Sequence, residues 1–420
     1  MKTHYDVFVA GGGLSGVGAA IAAAREGKEV LLIERFGCLG GAACHNLVNP
    51  FMIYWREVVE GEKDILNRGV FARIVEEMRK QNAILDDGKF FHEEYLKFVL
   101  DNLAKEYGVN VLFHTNLIGA KAENGKLQSV TIANKSGVSE ITADMYIDAT
   151  GDGDLAARAG FAYEFGDENG YCQPMTLCFK LGGVPYGDMS YFDVRKVVNG
   201  LYKEYQAQGK IKNPREDVLI FKSVLPNVLH FNSTRVIKKS AINAEDVTAA
   251  EMQAREQMFE LIDFLKNNNF ELFKDCYLIE SAPCIGVRES RRITGEYTVT
   301  ADDILGCTKF ADGIARGNYP IDVHNPSGSG TILKKIPRDE YYTVPLSACI
   351  PKGSKNLLVA GRCISATHEA QASFRVMPIV CCIGEGVGTA AAVALQTGAE
   401  IKDVDINLVH EKMTANGAVY

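Results

Sequence analysis

Short apolar runs and helical patterns alternate along the first third of the chain. Tyr5–Ala10 is apolar and rich in strand-forming residues, and the small residues after it predict a helix from about Val17 to Glu26. The elements predicted in this part are strands at 5–10, 29–33 and 109–113 and helices at 17–26, 70–81 and 93–107. Such alternation predicts an α/β fold built around a parallel sheet.

The pattern changes after residue 113. Alternating segments at 117–123, 127–133 and 140–143, separated by Asn-Gly and Ser-Gly turns, predict a small antiparallel β unit, and a core strand follows at 145–151. From about 161 to 344, strand-like segments mix with a long helix at 244–267, which predicts a second lobe of the α+β class that holds a substrate.

The C-terminal part returns to the style of the first lobe. A buried strand is predicted at 355–361, and a glycine-rich helix is predicted to open at Gly384–Gly388. We therefore predict that residues 1–160 begin the first domain, that residues 161–344 form the second, and that residues 345–420 complete the first.

The turn after the first strand contains a G-x-G-x-x-G motif at Gly11, Gly13 and Gly16. Gly11 permits a tight turn, and Gly13 lets the backbone approach a pyrophosphate at a helix N-terminus, where free N–H groups favour an anion. Glu34, at the end of the second strand, is placed to accept hydrogen bonds from a ribose diol. The motif predicts dinucleotide binding rather than an ordinary glycine-rich turn, and it leaves NAD and FAD open.

Composition narrows the class of protein. The 420 residues are 47% hydrophobic and 23% charged, as in ordinary globular proteins. The net charge of −8 disfavours nucleic acid and anionic membranes as partners, and no apolar run reaches the about 18 residues that span a bilayer. The eleven cysteines include no C-x-x-C and no zinc-ligand spacing. We therefore expect reduced thiols, no metal site and a cytoplasmic location.

The glycine-rich segments together resemble those of FAD-dependent oxidoreductases with a FAD-binding fold of the glutathione reductase type. The segments that carry the resemblance are Gly11–Gly16, Glu34-Arg35, Leu39-Gly40-Gly41, Ala149-Thr150-Gly151, Val359-Ala360-Gly361 and Gly384–Gly388. Narrower marks of the family are Ile147–Asp154, Gly286–Arg292, Asp322-Val323-His324 and Leu357–Met377. The resemblance covers nearly the whole chain and implies FAD as the cofactor.

The resemblance also implies which residues hold FAD. They are Gly11, Gly13, Ser15 and Gly16 at the pyrophosphate; Glu34 at the adenosine ribose and Arg35 beside the adenine; Gly40 and Gly41 where the backbone passes the cofactor; Thr150 and Gly151 at the adenosine end; and Gly361, Arg362, Gly386, Val387 and Gly388 at the ribityl chain and flavin. A helix N-terminus at the last set would favour negative charge on the flavin.

Two departures from related flavoproteins matter. Disulfide reductases carry a C-x-x-x-x-C pair after the second glycine cluster, but here Cys44 is followed five residues later by Asn49. Redox-active disulfide chemistry is therefore not expected. The chain also has no second G-x-G-x-x-G between residues 160 and 345, so we expect no dedicated NAD(P)H lobe.

Four side chains are candidates for chemistry beside the flavin, namely His368, His324, Arg288 and Arg375. Either histidine suits proton transfer near neutrality, and either could instead be structural or solvated. Arg288, with Arg291 and Arg292, could clamp a carboxylate, hold the pyrophosphate or form salt bridges. Arg375 is a candidate substrate anchor.

We therefore expect a soluble FAD enzyme that transfers a hydride between flavin N5 and a small polar organic substrate, by C–OH or C–NH oxidation or by C=C reduction. The electron donor or acceptor is undefined, and self-association is left open. Two alternatives are a hydroxylase of the flavin monooxygenase kind and a non-catalytic electron-transfer flavoprotein subunit whose large lobe docks a partner.

Overall fold

The computed structural model describes residues 2–59, 61–268 and 270–420. The elements in the first half of the chain are β1 (His4–Ala10), α1 (Leu14–Arg25), β2 (Val30–Ile33), β3 (Trp55–Val59), β4 (Glu62–Ile65), α2 (Val70–Lys80), α3 (Glu93–Glu106), β5 (Asn110–Leu112), β6 (Asn116–Glu123), β7 (Lys126–Asn134), β8 (Gly137–Asp148), α4 (Asp154–Arg158), β9 (Tyr163–Phe165), β10 (Phe179–Gly182) and α5 (Tyr191–Ala207). Those in the second half are β11 (Ile220–Lys222), β12 (Leu229–Phe231), α6 (Ala244–Asn267), β13 (Tyr277–Ser281), β14 (Arg291–Ile293), α7 (Ala301–Leu305), β15 (Gly313–Gly317), β16 (Ile321–His324), β17 (Thr331–Lys334), β18 (Tyr342–Pro345), β19 (Leu357–Val359), α8 (His368–Phe374), α9 (Met377–Thr397) and α10 (Ile406–Ala415).

A seven-stranded sheet forms the centre of the first lobe, in the order β5-β2-β1-β8-β7-β6 with β19 also beside β8. The pairs among β5, β2, β1, β8 and β19 are parallel, whereas β6, β7 and the start of β8 form an antiparallel meander. β8 joins both parts because residues 137–141 pair with β7 and residues 142–148 with β1. The sheet confirms the predicted α/β fold and its antiparallel unit, although the strands predicted at 140–143 and 145–151 are one continuous strand.

Helix α9 corrects the prediction that the last glycine-rich segment opens a helix. α9 begins at Met377, and Gly384–Gly388 lie in its interior against α1. A Cβ added to Gly384 would lie 1.9 Å from the backbone oxygen of Ser15, and one added to Gly388 would lie 2.1 Å from that of Ala19. These glycines therefore let two helices pack backbone to backbone. α9 is long and apolar enough to cross a membrane, but 89% of its apolar stretch is buried inside the protein, as in a core helix.

The second lobe contains a four-stranded antiparallel sheet in the order β11-β12-β10-β13, covered by α5 and α6. Its core takes Leu47 and residues between Met175 and Ile285. Buried residues from Ile293 to Tyr342 belong instead to the core of the first lobe, so the predicted return at residue 345 comes too late. The reason is packing, because a Cβ on Gly386 of α9 would lie 2.5 Å from Cβ of Ile314 in β15.

A buried ion pair joins the two lobes. Nζ of Lys180, in β10 of the second lobe, lies 2.5 Å from a carboxylate oxygen of Glu93, at the start of α3 in the first lobe. The second carboxylate oxygen of Glu93 accepts a hydrogen bond of 3.0 Å from Nδ2 of Asn49. Both charges are nearly excluded from water, and the satisfied pair holds the lobes in one relative position.

Candidate functional site

A cavity of about 460 Å³ lies between the two lobes and is lined from both. Most of the predicted cofactor residues line it, namely Gly11, Gly13, Ser15, Glu34, Arg35, Gly40, Gly41, Thr150, Gly151, Gly361 and Arg362. Three of the four candidate chemistry residues, Arg288, His324 and Arg375, also line it. Gly16, Gly386, Val387, Gly388 and His368 lie outside this lining.

The first glycine turn has the geometry of an anion site. Gly11 has a φ of +102°, and a Cβ there would lie 2.5 Å from the backbone oxygen of Ala149. At Gly13, in contrast, a Cβ would meet nothing closer than the Cα of Gly41 at 3.9 Å. Gly13 is the N-cap of α1, and no side chain of the described residues caps the helix. The first N–H groups of α1 are therefore free to bind an anion in the cavity.

Gly16 supports this turn without lining the cavity. A Cβ on Gly16 would lie 1.8 Å from the backbone oxygen of Gly11, so only glycine lets the helix follow the turn so closely. The predicted contact of Gly16 with pyrophosphate is thus replaced by a packing role.

A second glycine turn lies against the first. The N–H of Gly40 donates a hydrogen bond of 2.9 Å to the backbone oxygen of Gly12. Gly41 has a φ of +50°, and a Cβ there would lie 2.7 Å from the Cα of Gly13. Gly13 and Gly41 meet backbone to backbone, so the two turns form one surface with no Cβ at the point of contact, which allows close approach of a ligand.

Glu34 closes the far end of this surface. Its buried carboxylate accepts hydrogen bonds of 2.7 Å from the N–H of Gly12 and 2.9 Å from the N–H of Phe36. A carboxylate has more acceptor sites than these two donors use, so Glu34 can still accept from a diol in the cavity. Arg35 beside it is exposed and also lines the cavity.

Thr150, Gly151 and Arg362 form the floor between the lobes. Burial raises the pKa of the neighbouring Asp148 to about 6, against hydrogen bonds from Ala156 and Thr150. A Cβ on Gly151 would lie 2.2 Å from a guanidinium nitrogen of Arg362, so glycine makes room for that side chain. Arg362 donates to Asp152 at 2.7 Å, while its buried Nε has no partner among the described residues.

A sequence profile described as FAD dependent oxidoreductase matches residues 6–413. The chain belongs to this family. The cavity fits the family's cofactor, because the uncapped N-terminus of α1 and the bare glycine surface suit a pyrophosphate and the acid at Glu34 suits a ribose. FAD, the predicted cofactor, is thereby confirmed, and bound FAD would supply redox chemistry that no side chain offers.

Solved structures show weak overall likeness to this chain. A geranylgeranyl bacteriochlorophyll reductase-like protein from Thermoplasma acidophilum is 13% identical with a TM-score of 0.48, covering 98% of this chain and 83% of that one. The p-nitrophenol 4-monooxygenase from Pseudomonas putida is 10% identical with a TM-score of 0.48, and the match covers 99% of this chain and 89% of that one. A flavoprotein/dehydrogenase from Cytophaga hutchinsonii is 14% identical with a TM-score of 0.48, and the match covers 98% of this chain and 82% of that one. A comparison with curated proteins gave no match.

The arginines predicted as one cluster separate into two kinds. Arg291 donates to Asp154 at 2.8 Å, and Arg292 forms a buried pair with Glu289, so both make structural salt bridges. Arg288 turns the other way and lines the cavity, where its guanidinium donates to neutral oxygens of Pro174, Thr176 and Asn232.

His324 lines the cavity but does not suit proton transfer near neutrality. Its Nδ1 accepts from Arg235 at 3.1 Å and lies 3.1 Å from Oγ1 of Thr331, while its Nε2 lies 3.6 Å from Asp322. Burial, and after it the charge of Arg288, lowers the pKa of His324 to about 3. The ring is therefore neutral and oriented by Arg235, and its Nε2–H faces Asp322, which also lines the cavity.

His368 does not reach the cavity. It is the first residue of α8, and its Nδ1 lies 2.8 Å from a carboxylate oxygen of Glu289, the buried partner of Arg292. A hydrogen bond of this kind fixes the ring in a structural network. The prediction that His368 acts at the flavin is thus not supported by its position, and the structural alternative describes it.

Sequence reasoning missed one arginine of this cavity, and it treated Cys38 and Cys44 only as reduced thiols. Arg215, from the loop before β11, lines it, but nothing in the local sequence distinguishes that arginine. Beside the glycine turns, Cys38 and Cys44 lie within hydrogen-bonding reach of each other, and Cys38 also contacts His45. Contact with Cys44, and then with His45, lowers the pKa of the Cys38 thiol, whereas that of buried Cys44 is raised. All eleven cysteines are free thiols.

Proposed function

We propose that this FAD-dependent oxidoreductase transfers a hydride between flavin N5 and a small polar organic substrate, by C–OH or C–NH oxidation or by C=C reduction. The observation that supports it is one continuous cavity, which joins the uncapped glycine surface of the first lobe to a polar wall of the second. Bound FAD would supply the hydride chemistry, and the chain would bind, orient and shield the substrate.

The proposed arrangement of FAD follows the glutathione reductase type. Gly11, Gly13 and Ser15 would hold the pyrophosphate, and Glu34 the ribose. Gly361 and Arg362 also line the cavity, as do Val376 and Met377 at the start of α9. The N-terminus of α9, rather than Gly384–Gly388, would then lie beside the flavin, where its dipole favours negative charge.

The chain's own groups then limit how a proton moves. His324 is neutral and can donate a hydrogen bond, whereas its pKa of about 3 makes it a weak base. Tyr319, which also lines the cavity, donates from its hydroxyl to Asp322 at 2.9 Å. We propose that the hydroxyl of Tyr319 handles the substrate proton, while neutral His324 serves only as a hydrogen-bond donor. We also propose that the protein works in the cytoplasm, as its free thiols suggest.

Anaerobic mixing of the FAD-loaded protein with a metabolite library tests the proposal. A substrate that donates hydride should bleach the visible flavin absorbance without oxygen, and deuterium at the donor carbon should slow the bleaching. If no compound changes the flavin without oxygen, and an externally reduced flavin consumes oxygen to give a hydroxylated product, the hydroxylase alternative replaces the proposal. Turnover only with an added protein would support the electron-transfer alternative.

A further inference from the structure

Three arginines from distant parts of the chain line the cavity, and two of them are close enough for their charges to lower the pKa of the third, Arg288. Arg215 precedes β11, Arg288 follows β13, and Arg375 lies between α8 and α9. All three line the same cavity as the glycine surface. We call them the arginine wall.

Arg215 is the member whose charge the fold leaves uncompensated. The residue is only 4% exposed, yet its buried Nε has no hydrogen-bond partner and its guanidinium forms no ion pair among the described residues. A buried charge without a counter-charge destabilises a protein unless a ligand supplies one. The position of Arg215 on the cavity makes an anionic ligand the natural partner.

Arg288 adds a second charge that meets only neutral groups. Its partners are the backbone oxygen of Pro174, the hydroxyl of Thr176 and the amide oxygen of Asn232. Burial and, after it, the charges of Arg215 and Arg375 together lower the pKa of Arg288 to about 9. The wall is therefore self-repelling, and a bound anion would relieve this repulsion.

One carboxylate balances part of the wall. Asp322 lies 3.9 Å from Arg375 and accepts a hydrogen bond from Tyr319. Burial opposes its ionisation, but the contacts with His324 and Arg375 hold the pKa of Asp322 well below its ordinary value. Arg235 also acts on this cluster, but it is paired with Glu216 at 3.2 Å and the two charges cancel. The three guanidiniums of the wall and the one carboxylate of Asp322 leave an excess of two positive charges.

We propose that the arginine wall binds the carboxylates of an organic acid, and that its excess charge selects a dicarboxylate. Planar guanidiniums match planar carboxylates through paired hydrogen bonds. The backbone N–H groups and helix N-terminus that suit a phosphate lie on the opposite wall. This inference rests on the proposed function in placing the acid beside the flavin as substrate.

The first test needs no variant. The FAD-loaded protein is titrated with malonate, succinate and glutarate, with the monoamide of each, and with inorganic phosphate, while the flavin spectrum and melting temperature are followed. At least one diacid should bind about tenfold or more tightly than its monoamide, as expected from losing one charge-assisted interaction. Equal affinity of diacid and monoamide, or tighter binding of phosphate, would overturn the proposal.

A variant separates binding from structure. Arg215→Gln should weaken the diacid by about 30-fold or more. The same variant should keep its FAD and, without ligand, melt no lower than wild type, because Arg215 has no partner to lose. Arg255→Gln removes a half-exposed charge from α6 of the same lobe, outside the cavity, and should leave affinity unchanged. Unchanged affinity in Arg215→Gln, or a lower melting temperature without ligand, would show that Arg215 is structural.

The two proposals fail in different ways. If a diacid binds as expected but no acid of this class reduces or reoxidises the flavin, the arginine wall stands and hydride transfer fails. If an uncharged compound exchanges hydride with the flavin equally well in wild type and Arg215→Gln, hydride transfer stands and the arginine wall fails as a substrate site.

Discussion

The two walls of the cavity differ in whether backbone or side-chain groups face the ligand. The first-lobe wall is mainly backbone, in which two glycine turns and the uncapped start of α1 present N–H groups from residues close in sequence. The arginine wall is mainly side chain, in which Arg215, Arg288 and Arg375 come from three distant parts of the chain and from both lobes. A backbone site binds what many flavoenzymes share, the cofactor, whereas a side-chain site can change its ligand by substitution.

Buried charge shows the same contrast. In the first lobe, Arg25 meets the fully buried carboxylate of Glu385 at 2.6 Å, and that carboxylate also accepts from the N–H of Val70. Arg215 is similarly buried but has no such partner among the described residues. The fold therefore compensates a charge that only holds helices together and leaves uncompensated a charge that faces the cavity.

The largest expected effect is on folding, and it distinguishes alanine substitutions at two glycines of the first wall. Gly16→Ala should prevent stable folding, at a cost above about 4 kcal/mol, because its Cβ would lie 1.8 Å from the backbone oxygen of Gly11. Gly13→Ala should fold, since its Cβ has room, but should lose FAD because the methyl group fills the pyrophosphate site. Circular dichroism and flavin content after reconstitution measure the two effects. A Gly13→Ala protein with full FAD would contradict the backbone site.

Glu34→Ala tests the adenosine end of the same wall. It should weaken FAD by the loss of one or two hydrogen bonds to a charged acceptor, about 1.5–3 kcal/mol each. Glu34→Gln, which keeps the shape and one acceptor, should weaken it less. Equilibrium dialysis of FAD gives the comparison, and unchanged affinity in Glu34→Ala would exclude Glu34 from ribose binding.

A third substitution tests whether the glycines of α9 serve helix packing or cofactor binding. Gly388→Ala should destabilise the protein by about 1–3 kcal/mol, because the added Cβ meets the backbone of α1. Gly200→Ala in α5, where nothing lies within 4 Å, should instead stabilise by about 0.5–1 kcal/mol. Urea unfolding of the FAD-free proteins measures both. Loss of FAD affinity without loss of stability in Gly388→Ala would restore the glycine to the cofactor site.

The smallest effect concerns the neutral histidine of the second wall. His324 has a folded pKa of about 3, whereas the unfolded chain binds a proton near pH 6.5. The unfolded state therefore binds more protons between these values, and the free energy of unfolding should fall as pH falls from about 6.5 toward 3. His324→Gln should flatten this dependence, and exposed His4→Gln should not. Identical pH slopes for wild type and His324→Gln would show that His324 is not buried neutral.

The parts of the site that are built from residues close in sequence could be predicted. The parts built from residues that only the fold brings together could not. Gly11–Gly16 and Glu34 specify a strand, turn, helix and acid within 30 residues, so their spacing alone indicates the site. His368 follows the C-terminal strand β19 closely in sequence, yet its ring turns to Glu289 because that buried carboxylate needs a donor. Arg215 was not predicted. It is significant because it lacks a partner in the folded protein, and no local sequence pattern indicates that. Gly384–Gly388 predicted a helix start, but close packing of two helices demands the same residue.

A crystal structure of the FAD-loaded protein with a bound dicarboxylate would test the two-wall account most directly. We predict the pyrophosphate on the N–H groups at the start of α1, the adenosine ribose on Glu34, the flavin near Met377, and the carboxylates on Arg215 and Arg288. The account would be contradicted by a pyrophosphate on the arginine wall, or by a dicarboxylate that leaves Arg215 without a partner.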